Sequence, residues 1–198
     1  MKDTRLSAFV IDYVDRLRAA LEEIPIARVE AMGDILYRAY QHNKQVFIIG
    51  NGGSAATASH MACDLGKNTI THNRARFRVM SLNDNMPLMS ALANDVGYEH
   101  VFAEQLRNLI HAGDVLISIS GRGNSPNVIR AMEYARSRAA TNIALLGFDG
   151  GRAVELADEY MLVPVQDYGI VEDLHMVLDH ILTEYFRARL ERGETNSA

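Results

Sequence analysis

Three histidines and several carboxylates fall at helical spacing in this chain, and their chemistry can be read first. His60 and Asp64 stand four apart in GGSAATASHMACD, a stretch that reads as helix, so they share a face. Far along the chain, EDLHMVLDHIL carries Glu172, His175, Asp179 and His180. Positions 172, 175 and 179 run along one helical stripe, and position 180 lies about 80° round from 172, so all can border one cavity. Imidazoles and carboxylates in this company can hold a divalent transition metal through mixed nitrogen and oxygen ligands. They can also work without metal, as a general acid and base. A polar helix surface with incidental histidines fits the same spacing, and spacing alone leaves the three readings open.

Two loops point to a second kind of chemistry. The apolar run VFIIG (46–50) is followed by Asn51, Gly52, Gly53 and Ser54. The run VLISIS (115–120) leads through Ser120 into Gly121, Arg122, Gly123, Asn124 and Ser125. Glycines let backbone N–H groups converge on an oxyanion, serine hydroxyls add donors, and a following helix adds a partial positive charge. A phosphate monoester is the natural occupant, and Arg122 can add a full charge. Neither loop matches the GxGxxG dinucleotide fingerprint or GxxxxGK[ST], so dinucleotide binding and nucleotide triphosphate hydrolysis are not expected.

These residues need a scaffold that brings both loops to one edge. VFIIG, VLISIS, IALLGF (143–148) and YMLVPV (160–165) read as buried strands, and RFRVMSL (76–82) as a weaker alternating one. Helical segments separate them, among them SPNVIRAMEYARSRA (125–139), which opens on Ser and Pro. The expected class is α/β, a doubly wound parallel sheet with helices on both faces. In such sheets ligands bind beyond the carboxyl ends of the strands, where both glycine-rich loops fall. Two helices precede the first strand. The leading one carries Phe9, Val10, Tyr13, Val14, Leu17 and Leu21 on one face, and the second points Val29, Met32, Leu36 and Tyr40 inward. Such broad apolar stripes ask for a partner subunit. A long helix from about 170 to 192 ends the pattern.

Length and composition set outer limits. A chain of 198 residues without a low-complexity linker or internal repeat is expected to be one domain, 1–198, with a helical pair at 1–43 and an α/β core with its final helix at 44–198. A net charge of −5 argues against nucleic acid as partner, and the basic cluster Arg74–Arg78 reads as a solvated loop. No apolar run approaches the ~20 residues needed to cross a bilayer. MKDTRLSAFVIDYV lacks the apolar stretch of a secretory signal, so a cytoplasmic protein is expected, without membrane contact. The single cysteine, Cys63, is expected to be small buried packing.

Taken in order, GNGGSAATASH, ALANDVGYEHVFAEQL (91–106), GDVLISISGRGNSPNVIRA (113–131) and VPVQDYGIVEDLHMVLDHIL (163–182) resemble the sugar isomerase (SIS) domain, and within it the phosphoheptose isomerase group. The resemblance implies a SIS-type, flavodoxin-like three-layer fold in a homotetramer with active sites between subunits. It implies exchange of a ketose 7-phosphate with an aldose 7-phosphate through an enediol. It places Ser54, Ser120 and Ser125 on the phosphate, helped by Asn51, Gly52, Gly53, Gly121, Arg122 and Asn124, with Asp95 and Glu172 as further substrate contacts. Asp64 stands where the family has a catalytic glutamate, and His180 on its catalytic histidine. In zinc-containing members the ligands match His60, Asp64, Glu172 and His180. The Arg-Gly-Asn-Ser run also resembles a non-catalytic sister protein that binds the bacterial replication initiator, which lacks the second histidine of the last helix; His180 favours catalysis.

Overall fold

Continuous apolar runs form the strands because both of their faces are covered. The computed structural model describes residues 5–192; the ends of the expected 1–198 unit, residues 1–4 and 193–198, lie outside the described residues. Strands β1 (Gln45–Gly50), β2 (Arg78–Ser81), β3 (Val115–Ser120), β4 (Thr141–Gly147) and β5 (Glu159–Val163) make one sheet in the order β2-β1-β3-β4-β5. Every neighbouring pair is parallel. The sheet has the class expected from the sequence. β5 stops at Val163, short of the expected 165, because Pro164 has no N–H to give the ladder.

The helices are α1 (Leu6–Glu22), α2 (Ile26–Gln41), α3 (Gly53–Cys63), α4 (Met86–Asp95), α5 (Val101–Leu109), α6 (Pro126–Ser137), α7 (Ala153–Leu156) and α8 (Tyr168–Arg192). A π-helical turn, Asp64–Asn68, continues α3. Alternation along the strands divides the core. Val46, Ile48, Ile117, Ile143 and Leu145 pack with α2, α3 and α8. Phe47, Ile49, Leu116, Ala144 and Leu146 pack with α5, α6 and α7 on the other face.

Three expectations meet the structure at the periphery. Residues 74–76 are exposed loop as expected, while Phe77 turns into the core. Cys63 is exposed rather than buried: it ends α3 on its outer side, while Met61 of α3 and Leu65 of the π turn that follows fill the core. In α1 only part of the stripe packs. Tyr13 and Leu17 lie against the core, while Phe9, Val10, Val14 and Leu21 stay exposed.

Candidate active site

The strand order reverses between β1 and β3, and this is where a doubly wound sheet opens a crevice. Gly50 sits in register with Ile119, so the loops leaving β1 and β3 begin side by side. Asn83 extends the first strand: the Gly50 N–H donates to Asn83 Oδ1 at 3.2 Å and Asn83 Nδ2 donates to the Gly50 carbonyl at 2.8 Å. Asn51 is held by a reciprocal amide pair with the buried Asn127, at 2.9 and 2.8 Å, and by the Tyr98 hydroxyl at 2.9 Å. Gly52, at φ +57°, turns the chain into α3.

The second loop is braced from behind by residues 147–153. The Gly123 N–H donates to Ser120 Oγ at 3.2 Å, the Ala153 N–H to the Gly123 carbonyl at 3.0 Å, and the Arg152 N–H to Asn124 Oδ1 at 2.9 Å. Between the loops lies a cleft of about 400 Å³, lined by Asn51, Gly52, Ser54, Ser120, Gly121, Arg122, Asn124, Ser125, Tyr168 and Glu172. The guanidinium carbon of Arg122 stands 5.3 Å from the Phe148 ring centre and 5.4 Å from that of Tyr168, and the two rings pack at 4.9 Å. A cation held over two aromatic faces is attracted by both and keeps its charge at the cleft.

Further along α3 and α8 a second group assembles. His60 Nε2 lies 3.2 Å from His180 Nε2, 3.4 Å from Asp64 Oδ2 and 4.0 Å from Asp179 Oδ2, and His180 Nε2 lies 3.9 Å from Asp64 Oδ2. One ligand atom from each of the four falls within 4.8 Å of every other. A tetrahedral ion with bonds of about 2.0–2.1 Å sets its ligand atoms about 3.4 Å apart, so the group can hold a divalent cation with little movement. The Asp179 carboxyl is pushed up to about 6, by burial first and then by the charge of Asp64, while the two histidines act in the opposite direction. The π turn begins at Asp64, and such turns often mark functional sites.

The cleft and the group contain most of the residues singled out from the sequence, and four are placed differently. Glu172 is not among the four residues of the metal group; its carboxylate lies against Gly53, where an added Cβ would come within 2.5 Å of Oε1. Asp179 stands in that group instead. Asp95 lies exposed at the end of α4, accepting from Asn94 Nδ2 at 2.7 Å, and does not line the cleft. His175 is buried in the core beneath the site, where its Nε2 donates to the Leu146 carbonyl at 3.2 Å. Asn127, Tyr98, Asn83, Phe148 and the brace at 147–153 were not read from the sequence. The glycine pair at 150–151 after a strand was the available signal for the brace; the others had none.

Burial lowers the His175 imidazole from its usual 6.5 to about 4. Between those values the unfolded chain takes up a proton that the folded chain refuses. The stabilisation is therefore complete above pH 6.5 and is lost as the pH falls towards 4, by about 3 kcal/mol in all. Urea unfolding at pH 7 and pH 4.5 measures it. His175→Gln, which can still donate to Leu146, is expected to flatten the difference between the two.

A parallel sheet of this order, with a glycine-rich cleft at its switch point, defines a doubly wound α/β class, and residues 11–147 match the SIS domain family. The chain is 40% identical over 148 residues to the phosphoheptose isomerase of Nitratiruptor sp., covering 75% of this chain and 79% of that one. It is 36% identical over 177 residues to the phosphoheptose isomerase of Mycobacterium tuberculosis, covering 89% and 90%. The solved phosphoheptose isomerase of Neisseria gonorrhoeae superposes with a TM-score of 0.86 at 29% identity, over 93% of this chain and 100% of that one. The chain belongs to the phosphoheptose isomerase family of SIS-domain proteins.

Proposed function

We propose that the protein is a phosphosugar aldose–ketose isomerase, interconverting sedoheptulose 7-phosphate and D-glycero-D-manno-heptose 7-phosphate, or a related ketose phosphate, through an enediol. One observation carries the reading: the anion cleft and the imidazole–carboxylate group are built on the same two helices. Ser54 opens α3 at the cleft, and His60 lies six residues on, about 9 Å along the axis. A sugar anchored by its phosphate at the first point can therefore bring its carbonyl end to the second.

Ser54, Ser120, Ser125 and Arg122, with the backbone of Gly52, Gly53 and Gly121, hold the phosphate. Asn51 and Asn124 fix the two loops. Asp64 Oδ2 takes the proton from the carbon beside the carbonyl and returns it to the neighbouring carbon. In the metal-free site His180 Nε2 gives a proton to one oxygen as the other loses its own, a role that the imidazole gives up when a cation is bound. A divalent cation, zinc in this reading, held by His60, Asp64 and His180 with a further carboxylate, supplies charge stabilisation of a developing oxyanion when bound. His60 and His180 keep 45% and 54% of their side chains exposed, which suits a site closed by a neighbouring subunit. We read the chain as a single SIS unit whose residues 1–43 pair between copies of a homotetramer, with Asp95 reaching a neighbour's pocket, and as a cytoplasmic enzyme. Among the described residues no helix is long and apolar enough to cross a membrane. The relatives reported above carry isomerase names, and the initiator-partner reading gains no support from them.

Incubating the purified protein with sedoheptulose 7-phosphate is expected to yield the aldose. No conversion of any ketose phosphate in a metal-supplemented panel overturns the proposal. Arg122→Ala is expected to raise KM about tenfold with a smaller change in kcat, because a charge-assisted bond to the phosphate is lost in ground and transition state alike. Inorganic phosphate is expected to become a correspondingly weaker inhibitor.

A further inference from the structure

We propose that Asp179 supplies the fourth protein ligand of the cation group, and that Glu172 belongs to the substrate cleft instead. The inference rests on the reading that a divalent cation occupies the group. Asp179 is fully buried, yet its Oδ2 has no hydrogen-bond partner. Its other oxygen, Oδ1, accepts from Thr183 Oγ1 at 3.3 Å, which turns Oδ2 towards His60 Nε2 at 4.0 Å. A carboxylate oxygen removed from water and left unpaired is costly, and a cation among two imidazoles and a second carboxylate is the partner that offsets that cost.

Asp64 repeats the arrangement. Its Oδ1 accepts from Asn68 Nδ2 at 2.9 Å, leaving Oδ2 turned towards the histidines. Each carboxylate is thus aimed by a side chain four residues further along its own helix, the kind of support that orients metal ligands. Glu172 has no such place. It precedes Asp179 by seven residues of α8, about 10 Å along the axis. Its carboxylate rests over Gly53 in the cleft that holds Ser120 and Arg122. There it brings negative charge to a site shaped for an anion and a polyol, so it discriminates among substrates and leaves the cation alone.

Two titrations separate the roles: cobalt(II) binding, followed by its visible absorption against a competing chelator, and inorganic phosphate binding by calorimetry. Asp179→Asn is expected to weaken cobalt binding by at least about 100-fold, beyond the loss typical of an outer-shell partner, while leaving phosphate affinity unchanged. Glu172→Gln is expected to bind phosphate more tightly and cobalt within about threefold of the parental protein. Thr183→Val, which keeps the carboxylate and removes only its anchor, is expected to weaken cobalt about tenfold and serves if Asp179→Asn does not fold. Unchanged cobalt affinity in the Asp179 or Thr183 variant, or a large loss in Glu172→Gln, overturns the assignment. A parental protein that takes up no cobalt overturns the cation reading itself, and this inference with it.

Discussion

Asp64→Asn is expected to lower kcat for the ketose phosphate by about 10²–10⁴, the contribution usual for a positioned general base, with little change in melting temperature. Asparagine has nearly the same shape. Its side-chain oxygen can still accept from Asn68 Nδ2, which holds the carboxylate now at 2.9 Å, so the turn beginning at residue 64 survives. What disappears is the capacity of the inward atom to receive a proton. Exchange of the substrate's carbon-bound hydrogen with deuterated water should fall with kcat, because both depend on the same abstraction. A loss of cation affinity alone would instead be restored by saturating metal. Near-parental turnover, or full recovery with metal, removes Asp64 as the base.

Helical spacing made part of this site legible and concealed the rest for a definite reason. Periodicity gives the angle of a residue round its helix. It therefore put His60 and Asp64 together, and their atoms do meet, at 3.4 Å. It also put Glu172, His175 and Asp179 on one stripe, but height along α8 and the depth of the neighbouring sheet sort them. Asp179 lies level with His60, Glu172 lies two turns nearer the cleft, and His175 lies beneath both against the Leu146 carbonyl. The π turn at Asp64 was invisible because its residues, DLGKN, carry no pattern that distinguishes it from an α-helix. The strands were legible because burial on both faces leaves continuous apolar runs. The apolar stripe of α1 was legible too, although one chain covers only part of it.

Composition marks the glycine loops as anion cradles, whereas one glycine in them is needed for a different reason. Gly123→Ala is expected to cost about 2–5 kcal/mol, lowering the melting temperature by about 5–15 °C, and to raise KM sharply. Gly123 has φ +63°, a conformation unfavourable for alanine, and an added Cβ would run into the Gly150 carbonyl oxygen. Gly150 cannot simply retreat. The brace is tied to the same loop on both sides, by the Gly147 N–H to the Gly121 carbonyl at 2.8 Å and the Ala153 N–H to the Gly123 carbonyl at 3.0 Å. Relief must come from moving residues 121–124, which carry Arg122 and the N–H that orients Ser120 Oγ. Gly52→Ala is the control. Its backbone, at φ +57° and ψ −123°, lies outside the left-handed region that L residues tolerate, but nothing lies within 4 Å of the added Cβ, so the backbone strain of about 1–3 kcal/mol applies without a clash. Equal melting temperatures for the two variants would mean that backbone conformation alone sets the requirement and that residues 147–153 do not hold the phosphate loop in place.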